Sequence, residues 1–276
     1  MPYHNQIVPE AWREPIGEWL GVQRAAGLSP ETIKTKRCEI GHIAKGVNVS
    51  PAKVTGRQLV AYFGTQSWSN NSRKGYRATC RTFFAWYQSI GGRADNPALM
   101  LPKVRPVEPA PKPCPDKWIL AAYQQADDET RLMLQLGAEA GLRRAEIARC
   151  HSDDVVEDLL GYSLRVVGKG DKQRYVPIGG DLAAKVMACN GWCFPGRMGG
   201  HTSDETVGLK LSALLPDGYT AHSLRHRYAT RTYEQTHDIY VVSKLLGHAS
   251  VETTRAYVAM PERRLREAVA GVGLAV

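Results

Sequence analysis

No run of apolar residues in this chain is long enough to cross a bilayer, and the polar opening "MPYHNQIVPEAWREP" holds no signal-peptide core. A membrane role is set aside on that ground, and the expected compartment is the cytoplasm. No GxxxxGK[ST] loop is present to cradle a nucleoside triphosphate, and no acidic cluster to hold a pair of magnesium ions. Internal repeats and low-complexity tracts are missing as well. Cysteine is sparse: Cys38, Cys80, Cys114, Cys150, Cys189 and Cys193 are scattered in the manner of reduced thiols. Cys189 and Cys193, with His201 nearby, invite a metal reading, but their spacing is unusual for zinc and no fourth ligand is evident.

What the chain does have is positive charge, unevenly placed. Its 276 residues, 43% hydrophobic and 23% charged, suffice for two globular domains with separate cores. The formal net charge is +9, and most of it lies in the first 110 residues, with 15 Lys/Arg against 7 Asp/Glu. A small, strongly basic half points to a polyanion, and without a membrane signal nucleic acid is the leading candidate. The segment "LPKVRPVEPAPKPCP", residues 101–115, then sets 6 prolines among 15 residues. Proline removes backbone donors and fixes φ, so an extended strap is predicted in place of helix or interior strand. About thirteen such residues reach roughly 40 Å, enough to seat two domains on opposite sides of a bulky partner. A plain stiff spacer is the simpler alternative.

Four helices are expected before the strap. One runs near residues 14–26. The next opens at Ser29 and Pro30, a cap followed by proline in the first turn, with Ile33, Ile40, Ile43 and Val47 on one side. A third starts at Thr55 with Gln58 in the capping-box position. The fourth covers about residues 71–90, with Tyr76, Cys80, Phe83, Phe84 and Tyr87 as its apolar stripe. Arg73, Arg77 and Arg81 recur every four residues beside that stripe, joined by Lys74, and Lys34, Arg37 and Lys45 edge the second helix. Such edges suit contact with phosphates, although each alone would pass for a solvated helix face.

After the strap, helices are expected at 116–126, 128–140, 181–188 and 203–214. "VVED", "YSLRVVG" and "QRYVPIG" alternate as strands, with "GKGD" as the tight turn between the last two. From Ala221 the chain reads as helical, with breaks around Thr236, Gly247 and Pro261. The fold class is therefore mainly α with a small antiparallel sheet in the second half.

The stretch "HSLRHRYATR", from His222, sets two histidines and three arginines among Leu224, Tyr228 and Ala229. His222 and Arg225 are three apart and share one helix face. Arg143 follows a glycine break in "EAGLRRAEIARC", and Lys169 stands on the hairpin tip "GKGDKQRYVPI". His248 and, nine residues later, Tyr257 lie in "KLLGHASVETTRAYV". Singly, each has an ordinary explanation: Arg143 can pair with Glu146, Lys169 can ride a solvated turn, and Tyr257 can fill a core. Together, two arginines, one lysine and two histidines are donors for a phosphate whose transition state gathers extra charge. A tyrosine hydroxyl can attack that phosphate once its proton is removed. A phosphotyrosyl link conserves the energy of the broken ester, so this chemistry calls for no ATP, no metal and no other cofactor.

In this order and spacing the fragments resemble the tyrosine recombinases of the phage integrase family, across essentially the whole chain. "AGLRRAEI" is similar to the family's first box, "VVGKGDKQRYVPI" to its lysine hairpin, and "AHSLRHRYAT" with "LLGHASVETTRAYV" to its second box. The resemblance implies a four-helix core-binding domain (1–100), a proline-rich linker (101–115), a mixed α+β catalytic domain (116–260) and a tail (261–276). It implies that Arg143 and Arg225 clamp the non-bridging oxygens of the scissile phosphate. Tyr257 would attack, giving a 3′-phosphotyrosyl link and a free 5′-hydroxyl, and Lys169 would protonate the leaving oxygen. His222 would help move the tyrosine proton, His248 would hydrogen-bond the phosphate, and Glu146 would orient side chains. The implied partner is double-stranded DNA at recombination sites, with a directionality factor as a further partner. The implied assembly is a homo-tetramer on DNA, built from a monomer or weak oligomer. Leu265, Ala268, Val269 and Val272 line one side of the tail, which docks on a neighbouring subunit or else on its own domain.

Some positions depart from the pattern. Ser223 stands where the family often has aspartate, and Arg227 where a small polar residue is common. Arg144 directly follows Arg143, so that assignment relies on the Gly-Leu-Arg register. Only about a dozen residues precede the first expected helix, so a short integrase without the arm-binding domain is expected. Integration and excision of phage DNA is the leading role, with chromosome-dimer resolution and transposon movement as alternatives. Outside the family, a type IB topoisomerase and a non-catalytic DNA-binding regulator compete.

Overall fold

The computed structural model describes residues 8–105, 110–168, 172–247 and 254, and the chain divides into two compact units, residues 1–107 and 108–276. The first unit contains α1 (Glu10–Ala25), α2 (Pro30–Val47), α3 (Gly56–Thr65) and α4 (Asn70–Ser89). The predicted starts of α2 and α3 are realised through their caps. Ser29 Oγ accepts from the Thr32 amide at 3.4 Å, and Thr55 and Gln58 exchange side-chain-to-amide bonds at 3.3 and 2.8 Å. Trp12 and Trp19 of α1, Ile40 of α2, Leu59 of α3 and Phe83 and Phe84 of α4 are fully buried. Phe83 stacks on Trp12 at 5.3 Å and meets the edge of Trp19 at 5.5 Å.

The start of α1 differs from expectation. The helix begins four residues earlier, at Glu10, and carries Pro15 in its interior. An interior proline costs about 3 kcal/mol. Burying a tryptophan removes roughly 150–250 Å² from water, worth about 4–6 kcal/mol. Trp12 reaches the core only if the preceding turn is already helical, so burial outweighs the proline.

The second unit runs α5 (Asp116–Gln125), α6 (Asp128–Glu139), α7 (Arg144–Ala148), β1 (Val155–Asp158), β2 (Gly161–Val167), β3 (Gln173–Ile178), α8 (Gly180–Met187), α9 (Asp204–Leu214), α10 (Ala221–Thr236) and α11 (Ile239–Leu246). The three strands form an antiparallel sheet in the order β1-β2-β3, with Leu164 opposite Val176 and Val166 opposite Arg174. Gly168 donates to the Lys172 carbonyl at 2.8 Å at the base of the β2–β3 hairpin, whose predicted "GKGD" tip falls largely outside the described residues. The core draws on Met133 and Leu136 of α6, Ile147 of α7, Leu164 and Val176 of the sheet, Val207 and Leu211 of α9, and Leu224 of α10.

Two glycines set how closely α6 and α7 approach α10. A Cβ at Gly137 would lie 2.9 Å from Leu224 Cδ1. Gly141, at φ +64, turns the chain out of α6, and a Cβ there would lie 2.4 Å from the Tyr228 ring. The turn is therefore pressed against α10, which brings the start of α7 beside the basic helix read from the sequence.

Candidate active site

Glu146, in the first turn of α7, is the centre around which the cations gather. Its side chain is only 5% exposed. Arg143, the residue capping α7, donates its backbone amide to Glu146 Oε2 and its Nη1 to Oε1, each at 2.8 Å. Arg174 of β3 pairs with both carboxylate oxygens, Nη1 to Oε1 and Nη2 to Oε2, again at 2.8 Å. Arg225 of α10 brings its Nη1 within 3.8 Å of Oε2. Burial by itself would raise the carboxyl pKa. The hydrogen bonds and charge of Arg174, the Arg143 amide and the charge of Arg225 outweigh it and hold Glu146 at about 2. The stabilisation from its ionised form is thus complete above the ordinary carboxyl range and is lost as pH falls towards 2. Three guanidinium groups facing one carboxylate leave an excess of positive charge, the environment an anion requires.

The two arginines expected to clamp a phosphate are held differently. Arg225 is fully buried, donating Nη1 to the Gly141 carbonyl at 2.5 Å and Nη2 to the Leu246 carbonyl at 2.6 Å. It joins the α6–α7 turn to the end of α11. Arg143 keeps 38% of its side chain exposed. His222 lies in the first turn of α10, its ring 4.7 Å from that of His226. The His222 side chain reaches solvent, yet the protein packed around the ring, His226, Arg225, Arg143 and Arg144 together hold its pKa down at about 4. In the free protein His222 is thus neutral at pH 7 and able to accept a proton. An NMR titration of its imidazole is expected to give a midpoint near 4; an ordinary midpoint near 6.5 would contradict the packing around the ring and the cations beside it.

Arg143 and Arg225 are thus brought to Glu146, with His222 beside both arginines. Lys169, His248 and Tyr257 lie outside the described residues. Arg144, adjacent to Arg143, points instead to Asp204 at 3.6 Å. Ser223 is a capping residue, its Oγ accepting from the Thr220 amide at 3.4 Å. Arg227 donates to Asp116 at 2.8 Å and to the Ala138 carbonyl at 3.1 Å, and Arg231 meets the same aspartate at 2.6 Å. The Arg227 hydrogen bond is the main reason the Asp116 carboxyl sits at about 2. Just upstream, Cys114 donates its amide to the Ser223 carbonyl at 3.0 Å, and Lys112 lies 4.9 Å over the Tyr219 ring.

Arg174 was not singled out from the sequence. A usable signal was present: in "QRYVPI" it falls in phase with Val176 and Ile178, so an arginine occupies the inward face of an alternating strand. Of the basic edges in the first unit, two arginines turn inward. Arg73 donates to the Phe63 and Gln66 carbonyls, which end α3, and Arg77 to the Leu101 carbonyl. Arg81 is half-buried, whereas Lys34, Arg37 and Lys74 are exposed. The thiols considered for a metal are placed otherwise. Cys193 is buried with its amide on the Cys150 carbonyl, and burial pushes Cys189 up to about 12.

A helical unit with a small sheet thus gathers Arg143, Arg174 and Arg225 about the one carboxylate of Glu146. The phage integrase family model matches residues 117–264, and the chain belongs to that family. It is a site-specific tyrosine recombinase, an enzyme of DNA recombination. Tyrosine recombinase XerC of Xylella fastidiosa strain 9a5c is 31% identical over 268 residues, covering 87% of this chain and 88% of its own. The XerC of Chromobacterium violaceum is 27% identical, covering 94% of each chain. Among solved structures, a lambda integrase dimer bound to a COC′ core site matches with TM-score 0.73 at 18% identity, over 89% of this chain and 76% of that one. The XerH recombinase bound to palindromic difH substrate, after cleavage, matches with TM-score 0.70 at 19% identity, over 90% and 82%. At those identities the two structures speak to the fold. No helix among the described residues is long and apolar enough to cross a membrane.

Proposed function

We propose that this recombinase cuts and rejoins DNA through a 3′-phosphotyrosyl link formed by Tyr257. The observation that carries the reading is the convergence of Arg143 and Arg225 about Glu146, with a neutral His222 beside both arginines, in a chain of this family. Arg143 and Arg225 hold the non-bridging oxygens and His222 takes up the tyrosine proton. Lys169 protonates the leaving 5′ oxygen and His248 donates to the phosphate. The test is direct: duplexes selected for binding are nicked near the preferred site and incubated with protein. A covalent adduct on a denaturing gel is expected, and no adduct on any bound duplex would sink the reading.

As to role, the two sequence relatives are named XerC recombinases and not phage integrases, which favours one of the non-phage alternatives. Sequencing the junctions made in cells distinguishes them, because phage attachment sites and chromosomal sites differ in what they join.

The exposed Lys34, Arg37 and Lys74 are the better candidates for phosphate contact, since Arg73 and Arg77 already serve backbone carbonyls. Replacing the three exposed residues by alanine is expected to flatten the dependence of log affinity on log salt by up to about 0.9 per lost contact. Arg73→Ala is expected mainly to lower the melting temperature. An unchanged salt slope in the triple variant would mean that this edge is merely solvated.

A further inference from the structure

We infer that Arg174 is a positioning residue for strand cleavage: it fixes the plane of the Glu146 carboxylate, and through it the Arg143 guanidinium, against the end of α11. The inference rests on the reading that Arg143 clamps the scissile phosphate. Arg174 stands on β3, five residues after Lys169, opposite the buried Val166. All three of its nitrogens are engaged: Nη1 and Nη2 on the two oxygens of Glu146 and Nε on the Leu245 carbonyl at 2.9 Å. Its side chain is 10% exposed, and the plane of the guanidinium is fixed by these three acceptors.

Three elements meet at this one side chain. Its stem lies on Gly247, where a Cβ would sit 2.7 Å from Arg174 Cδ and 3.3 Å from Nε. Gly247 ends α11 at φ +64, and the next residue in the chain is His248. Glu146 Oε1 is shared between Arg174 and Arg143, and Oε2 between Arg174 and the Arg143 amide. Among the described residues the Arg143 guanidinium is held by its Nη1 bond to a carboxylate whose orientation Arg174 sets. Lysine cannot do the same. One ammonium is a point charge and cannot span two carboxylate oxygens and a third carbonyl in fixed geometry.

The test compares wild type, Arg174→Lys and Glu146→Gln in single-turnover adduct formation at saturating protein, with half-site affinity and melting temperature measured alongside. Each is run on a normal scissile phosphate and on a methylphosphonate, which is neutral and has less charge for Arg143 to offset. Arg174→Lys is expected to bind the half-site like wild type and to form adduct about 10–100-fold more slowly on phosphate, the cost of a guanidinium displaced by about an ångström. On methylphosphonate the gap should largely close. In a Glu146→Gln background the lysine substitution should add little further, because both changes act on one linkage. Equal rates on phosphate, a gap that persists on methylphosphonate, or additive effects would each overturn the inference. If Arg174→Lys fails to fold, Glu146→Gln alone decides it by the same phosphate-against-phosphonate comparison. A wild-type protein that forms no adduct on phosphate removes the tyrosine reading itself, a result distinct from any of these.

Discussion

Phenylalanine at Tyr257 is expected to abolish covalent adduct formation on a nicked site while leaving half-site binding nearly intact. The substitution removes one hydroxyl and no charge. Affinity for DNA comes mostly from cations facing phosphates and is spread over many residues, so it should hardly notice the loss. On the proposed reading cleavage depends on the hydroxyl outright, because that oxygen would make the bond to phosphorus. Tyr228 is the natural control. Its ring packs against Gly141, and burial pushes its hydroxyl above the usual tyrosine range, so Tyr228→Phe should still cleave. Adduct persisting in Tyr257→Phe on a denaturing gel would move the nucleophile elsewhere in the chain.

Arg143→Ala should slow adduct formation by about 10²–10³-fold, since a preorganised donor on a transition-state oxygen is worth about 3–4 kcal/mol. Arg225→Ala should do at least as much harm, by two routes. Arg225 is fully buried and bonds the Gly141 and Leu246 carbonyls, so its removal also leaves those groups unpaired. Stripping one partner from a buried charged network costs about 3–5 kcal/mol of stability, which should appear as a clear fall in melting temperature. Arg143→Ala, at a partly exposed position, should melt much closer to wild type. Arg144→Ala should be mild in both respects, because Arg144 is half exposed and pairs with the surface residue Asp204 at 3.6 Å. Rates measured for the three variants check the assignment: a severe Arg144→Ala beside a mild Arg143→Ala would shift the first box by one residue.

Local signals in the sequence carried most of the second unit and the interior starts of the first. Caps such as Ser29, Thr55 and Gln58 act within three residues, and strand alternation shows directly in "YSLRVVG" and "QRYVPIG". Family motifs that name residue types led to Arg143, His222 and Arg225, which lie near one another in the fold. What stayed hidden depends on partners with no sequence signature. Backbone carbonyls at Phe63, Gln66 and Leu101 claim Arg73 and Arg77, and a carbonyl looks the same in every residue. Arg227 answers to Asp116, 111 residues away. Arg174 could have been found by asking why an arginine keeps the phase of an inward-facing strand. The early start of α1 was hidden by Pro15, whose local cost is smaller than the burial it permits.

The end of the proline strap has a mechanical consequence. Cys114 is stitched to Ser223, which sits between His222 and Arg225, and Asp116 two residues later grips Arg227 and Arg231 on the same helix. A displacement of residues 114–116 would therefore be felt at α10, the helix that bears His222 and Arg225. The strap's end is thus anchored like a tendon on α10, within one helical turn of Arg225.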